Sequence, residues 1–167
     1  MNNPSLKGLG TALITPFCED GSVDYAALTR LIDKQLNSRT PAAPTAGIDY
    51  LVVLGTTGET ATLTLTEQDA VREHIVRQVA GRVPLILGLG GNCTAAVIAR
   101  INELRDTLQS DFAAILSVCP YYNKPSQEGL YQHFTTIAKA SPVPVILYNV
   151  PGRTGVNLLP ETVLRIY

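Results

Sequence analysis

The sequence has 167 residues, 46% hydrophobic and 16% charged, with 13 basic against 14 acidic side chains. That length fits one ordinary domain and is enough to bury a real core. A formal net charge of −1 leaves no electrostatic footprint for nucleic acid or an anionic membrane surface.

The apolar runs are short, strand-like pieces such as Val83–Leu87, far below the length of a transmembrane helix. Met1–Lys7 lacks a charged-then-apolar signal pattern, so the expected compartment is the cytoplasm. Cys18, Cys93 and Cys119 are odd in number and widely spaced, without CxxC, and read as buried or free thiols in a reducing compartment.

Strand and helix patterns alternate along the chain. Leu9–Thr15 is an apolar strand run stopped by Pro16; Asp24 offers an N-cap to a helix carrying Leu28, Leu31, Ile32 and Leu36. Asp49–Leu54 is a nearly continuous apolar run, as expected of a strand covered on both faces. Thr66 is the expected cap of the second helix, with Asp69 at the capping-box position, Val71, Ile75 and Val79 as its stripe, and Gly81 as its stop. Pro84–Gly88 reads as the third strand. Asn92 then opens a helix with Val97, Ile101, Leu104 and Leu108. Phe112–Val118 is the fourth strand, Ser126 caps a helix with Leu130, Phe134 and Ile137, Val143–Tyr148 is the fifth strand, and Pro160 begins the last helix. Five strands, each followed by a helix, predict an α/β fold with a parallel sheet and one domain across residues 1–167. The Pro-rich stretch Arg39–Gly47 runs from helix to strand, on the face away from the strands' C-terminal ends, and is a poor functional candidate.

Ligands in such folds meet the strand-to-helix loops. The second loop, Gly55-Thr56-Thr57-Gly58-Glu59, sets two hydroxyls and backbone N–H groups between glycines, a cradle for a small carboxylate or a plain glycine turn. Gly88-Leu89-Gly90-Gly91-Asn92-Cys93 has Cys93 where a dinucleotide fingerprint needs its third glycine, so it reads as a tight turn and helix cap. Pro120-Tyr121-Tyr122-Asn123-Lys124-Pro125 carries two phenols suited to proton transfer or to packing across a subunit contact. Tyr148 ends the fifth strand, and Arg153 follows in a Pro-Gly-constrained loop, placed to clamp a carboxylate or simply to be solvated. His74 and His133 fall inside helices, so they read as helix-surface or packing residues, and no metal-ligand cluster is expected. There is no Ser-His-Asp set, P-loop or paired-carboxylate signature. A carbonyl substrate handled by these groups still needs an amine or a metal.

Three runs carry a specific resemblance: Gly55–Glu59, Pro120–Gln127 and Tyr148–Gly155. Together, from about Leu6 onward, the chain resembles the dihydrodipicolinate synthase family of pyruvate-dependent class I aldolases. The resemblance implies a (β/α)8 barrel, of which the chain supplies about the first five βα units. It implies condensation of pyruvate with aspartate semialdehyde on the lysine (diaminopimelate) route. Pyruvate forms a Schiff base with a lysine, becomes an enamine and attacks the aldehyde, and the product cyclises. By the same resemblance, Thr57 holds the pyruvate carboxylate, Tyr148 exchanges protons at the Schiff base, and Thr56 relays them to Tyr122, which reaches in from a neighbouring subunit. Arg153 binds the semialdehyde carboxylate. The implied assembly is a homodimer or homotetramer, with no cofactor.

The resemblance also exposes departures. The Arg39–Gly47 loop is longer than the family pattern. Some members carry a lysine-inhibitor site; Asn92 and Tyr121 match it, whereas Leu65, Gln68 and Ala96 replace its two histidines and its glutamate, so weak or absent inhibition by lysine is expected.

The four lysines, Lys7, Lys34, Lys124 and Lys139, do not suit a Schiff base, which needs a desolvated amine at a strand end. The family's lysine lies on the sixth strand. A helix of ~11 residues from Pro160 plus a short loop puts that strand near residue ~175. The chain alone is therefore expected to be inactive. The alternatives are a related aldolase of the neuraminate-lyase or keto-deoxy sugar acid type, or a non-catalytic half-barrel that binds or assembles with a partner.

Overall fold

The computed structural model describes residues 6–37 and 47–167. These residues fall into two compact units, Met1–Gly88 and Leu89–Tyr167.

In the first unit, β1 (Gly10–Ala12), α1 (Tyr25–Leu36), β2 (Tyr50–Val53), α2 (Leu65–Val79) and β3 (Leu85–Gly88) follow one another. The strands are parallel, with Gly10 opposite Tyr50 and Leu51 opposite Leu85. Leu28 and Ile32 of α1, Val71, Ile75 and Val79 of α2, and Leu51, Val53, Leu85 and Leu87 of the strands are buried. Each such side chain contributes about 1.5–3 kcal/mol on leaving water. β2 alternates half-buried Tyr50 and Val52 with buried Leu51 and Val53, so the continuous apolar run expected to be covered on both faces is covered fully on one. β3 has Leu85, Ile86 and Leu87 all buried.

The second unit contains α3 (Thr94–Glu103), α4 (Arg105–Asp111), β4 (Ala114–Val118), α5 (Gln127–Ala140), β5 (Val145–Tyr148), the single turn α6 (Pro151–Thr154) and α7 (Pro160–Ile166). β4 and β5 are parallel, Ile115 opposite Val145 and Val118 opposite Tyr148. Cys119, Leu130, Phe134 and Leu158 form a core cluster under the ends of these strands. α7 is tied to α5 by Arg165, 2.7 Å from Glu128 and 4.3 Å above the Tyr131 ring.

The elements occur in the expected order, with four local corrections. β1 is three residues, not Leu9–Thr15, because beyond Leu13 the Thr15 hydroxyl turns to the Gly58 carbonyl at 2.7 Å. The cap of α2 is Thr64 with Glu67, not Thr66 with Asp69: the Thr64 Oγ1 accepts the Glu67 N–H, and Glu67 accepts the Thr64 N–H in return. The left-handed cap of α2 is Ala80 (φ +47°), followed by Gly81, which is left-handed as expected (φ +72°), so two such residues end the helix rather than one. The helix expected from Asn92 starts at Thr94 after Cys93 and is broken at Leu104, whose φ and ψ of −94° and 11° leave the helical region. Asp24 and Ser126 cap α1 and α5 as expected, and Pro160 opens α7. The Pro-rich stretch from Arg39 lies, except for Gly47, outside the described residues. No helix among the described residues is long and apolar enough to cross a membrane.

Candidate active site

The loop after β2 is built to hold two threonines out to solvent. Gly55 leads into a 3₁₀ turn over Thr56–Gly58, closed by Gly58 N–H to Gly55 O at 2.9 Å and Glu59 N–H to Thr56 O at 3.1 Å. Leu54 and Glu59 on either side both have φ of +54°, a left-handed conformation costing about 1–2 kcal/mol per residue with a Cβ. Two hydroxyls brace that strain. Thr60 donates to the Leu54 carbonyl at 2.7 Å, and the buried Thr15 donates to the Gly58 carbonyl at 2.7 Å. Gly88 leaves room for the bend, since a Cβ there would stand 2.2 Å from the Leu54 oxygen. Thr56 and Thr57 are exposed at the start of the turn, where the first N–H groups lack intrahelical acceptors. Hydroxyls and free N–H groups so placed suit a small carboxylate.

In the second unit, Tyr148 ends β5, and its carbonyl accepts the Cys119 N–H at 3.1 Å. Asn149 next to it bolts the following loop in place: its side chain accepts the Leu158 N–H at 3.0 Å and donates to Asn157 at 2.8 Å. Arg153 rides on α6, whose left-handed cap, Gly155, has φ of +72°. The guanidinium is exposed and has no ion-pair partner among the described residues, so it is available to an anion.

The loop after β4 presents Tyr121, 45% exposed, and Tyr122, 90% exposed with φ of +68°. Asn92, after β3, meets this loop through Asn123: the Asn123 amide donates to the Asn92 carbonyl at 2.7 Å. The stem of Lys124 lies on the Gly155 turn, its Cε 3.2 Å from where a Gly155 Cβ would be. The segment before Asn92 is the tight turn expected of it, because a Cβ on Gly90 would stand 2.8 Å from the Val118 nitrogen.

Within the second unit the fold thus sets Tyr148 at the end of β5 and Arg153 on the turn that follows it, and ties Asn92 to the loop of Tyr121 and Tyr122. Thr56 and Thr57 stand on the braced loop of the first. Sequence reasoning missed the supports: Thr15, Thr60, Asn123 and Asn149. Their side chains act on backbone atoms, an arrangement no residue spacing announces.

The histidines pack as expected. His74 Nε2 is 2.9 Å from the Thr29 hydroxyl, and His133 Nδ1 is 2.8 Å from that of Thr94. Burial pushes the pKa of both imidazoles below the usual value, with the charge of Arg77 adding to the effect at His74. Cys119 is buried, which pushes its thiol up, while Cys18 and Cys93 are exposed and free. All four lysines, Lys7, Lys34, Lys124 and Lys139, are exposed.

Residues 5–167 match the dihydrodipicolinate synthetase family. The chain is 54% identical over 166 residues to the 4-hydroxy-tetrahydrodipicolinate synthase of Parabacteroides distasonis, covering 99% of this chain and 52% of that protein. It is 48% identical to the enzyme of that name from Neisseria meningitidis serogroup B, covering 96% and 52%. Among solved structures, the chloride-inhibited dihydrodipicolinate synthase of Acinetobacter baumannii, complexed with pyruvate, matches with a TM-score of 0.87 at 40% identity, covering 97% of this chain and 52% of that one. The synthase of Bacillus anthracis matches with a TM-score of 0.83 at 43% identity, covering 95% and 50%. The chain spans about half the length of the curated relatives it matches. Its fold class is α/β, about the first five βα units of a (β/α)8 barrel. With the three loop motifs in place on this framework and the family match running through residue 167, the chain belongs to the dihydrodipicolinate synthetase family.

Proposed function

We propose that the chain supplies carboxylate-binding and proton-transfer groups of a 4-hydroxy-tetrahydrodipicolinate synthase, a lyase that condenses pyruvate with aspartate semialdehyde. It works as part of a single barrel domain, in a homodimer or homotetramer, in the cytoplasm, where three unpaired thiols suit the reducing conditions. Thr57 binds the pyruvate carboxylate through its hydroxyl and N–H. An amine forms the Schiff base with the pyruvate carbonyl and releases water. Loss of a methyl proton gives the enamine, whose carbon bonds to the aldehyde carbon while the aldehyde oxygen takes up a proton. Tyr148 exchanges these protons, and Thr56 passes them to Tyr122, whose exposure suits a side chain that completes a neighbouring subunit's site. Cyclisation of the product frees the amine. Exposure of Lys7, Lys34, Lys124 and Lys139 keeps all four out of that role, which needs a desolvated amine.

The observation that carries the reading is Arg153. A guanidinium that is exposed and unpaired among the described residues, on the capped turn that follows β5, suits the second substrate's carboxylate. In the native protein, Arg153→Ala is expected to raise KM for aspartate semialdehyde about 10- to 100-fold with little change for pyruvate. Unchanged KM for the semialdehyde, or turnover of sugar-acid aldehydes in its place, removes the assignment.

A further inference from the structure

We propose that Asn123 is a positioning residue for Tyr122, clamping the tyrosine loop to the backbone of the loop after β3; the catalytic consequence rests on the relay role proposed above. Tyr122, at φ +68°, occupies a region that a residue with a bulky side chain rarely enters. The Asn123 N–H donates to the Tyr121 carbonyl at 2.8 Å, closing a ring around Tyr122. Positive φ with this hydrogen bond describes the rare, strained form of γ-turn. Lys124 follows with φ of +48°, so strained residues flank Asn123 on both sides.

Such conformations cost about 1–3 kcal/mol each and persist only where surrounding structure enforces them. Within its own chain the Tyr122 side chain does not supply that enforcement, being 90% exposed. Asn123 does. Its Nδ2 donates to the Asn92 carbonyl at 2.7 Å, and its Oδ1 accepts from Asn92 Nδ2 at 3.3 Å. On the other side, the Lys124 stem rests on Gly155, and Pro120 and Pro125 stiffen both ends of the loop. The two bonds of the asparagine pair are unequal. The shorter one ends on a backbone carbonyl, which no change of the Asn92 side chain removes, so the clamp depends on Asn123 far more than on Asn92.

A relay phenol must sit within hydrogen-bond reach of its partner, and a shift of about 1 Å is worth up to 100-fold in rate. In the native protein, Asn123→Ala is expected to lower kcat about 10- to 100-fold with KM for pyruvate nearly unchanged. A crystal structure of that variant should show Tyr122 back at negative φ. Asn92→Ala, which keeps the carbonyl, should lose far less. The double variant Asn123→Ala with Tyr122→Phe should be no slower than Tyr122→Phe alone, because the clamp acts only through the phenol. A Tyr122 that keeps its positive φ in Asn123→Ala overturns the proposal, as do losses that multiply in the double variant. Should Tyr122→Phe leave kcat unchanged, the relay role fails, and the φ of Tyr122 alone then decides the clamp. If Asn123→Ala does not fold, Asn123→Asp is read in the same two ways, since it keeps the shape and removes the donor.

Discussion

His133 shows how a single side chain sets a property of the fold. On α5 its Nδ1 meets the Thr94 hydroxyl and its ring stands edge-on to Phe134, while Nε2 is buried with no hydrogen-bond partner among the described residues. Charging that ring would bury a second N–H with no acceptor, so burial lowers its pKa. The unfolded chain takes up the proton near the ordinary value of 6.5, and the folded chain only at lower pH. Stability is therefore full above that value and falls as pH drops below it. His74 acts in the same direction. The carboxylates of Glu67 and Glu128, held down by hydrogen bonds, titrate below 4.5 and leave this window clear. Urea midpoints should fall between about pH 7.5 and about pH 5.5, and less steeply in His133→Gln. An equal slope in the variant would remove His133 as the cause.

Residue chemistry also bears on regulation. Leu65 is 64% exposed, Ala96 is exposed, and the Gln68 amide is committed to the Thr60 and Leu63 carbonyls at 3.2 and 3.1 Å. None offers lysine the imidazoles or carboxylate that the resemblance associates with inhibition. Inhibition of the native protein by lysine should be weak or absent; clear micromolar inhibition in a steady-state assay contradicts this.

At the scale of elements, α2 shows both ends of a helix under control. Its capping box satisfies otherwise orphaned N–H groups through Thr64 and Glu67, so Thr64→Ala should cost about 1 kcal/mol in denaturant unfolding. Its other end carries a Cβ in the left-handed region at Ala80. Ala80→Gly should therefore stabilise, by up to about 1 kcal/mol after the added entropy of the unfolded chain. Helix stripes and strand runs were legible because apolar periodicity reports burial directly. The cap of α2 was misplaced by two residues because Thr64-x-x-Glu67 and Thr66-x-x-Asp69 overlap in the same stretch. Only backbone geometry distinguishes them. The break at Leu104 was invisible for a similar reason: Leu104 and Leu108 keep helical spacing across it.

At the scale of the whole molecule, the proposed reaction needs a desolvated amine, and the exposure of all four lysines speaks against their supplying it. Trapping radiolabelled pyruvate with borohydride on the native protein, followed by peptide mapping, should place label on none of Lys7, Lys34, Lys124 or Lys139. Label on any of them overturns the assignment. The sequence by itself determined the α/β class, the order of elements and the position of the candidate residues Thr56, Thr57, Tyr122, Tyr148 and Arg153 at strand ends and in the loops after them, because periodicity and rare side-chain combinations are local signals. The tertiary structure alone decided what holds those loops: Thr15 and Thr60 beneath the threonines, Asn149 beside Tyr148, and Asn123 on the Asn92 carbonyl. The contacts of Thr15 and Asn123 join residues far apart in the chain, and all four end on backbone atoms that every residue carries, so composition and spacing hold no record of them.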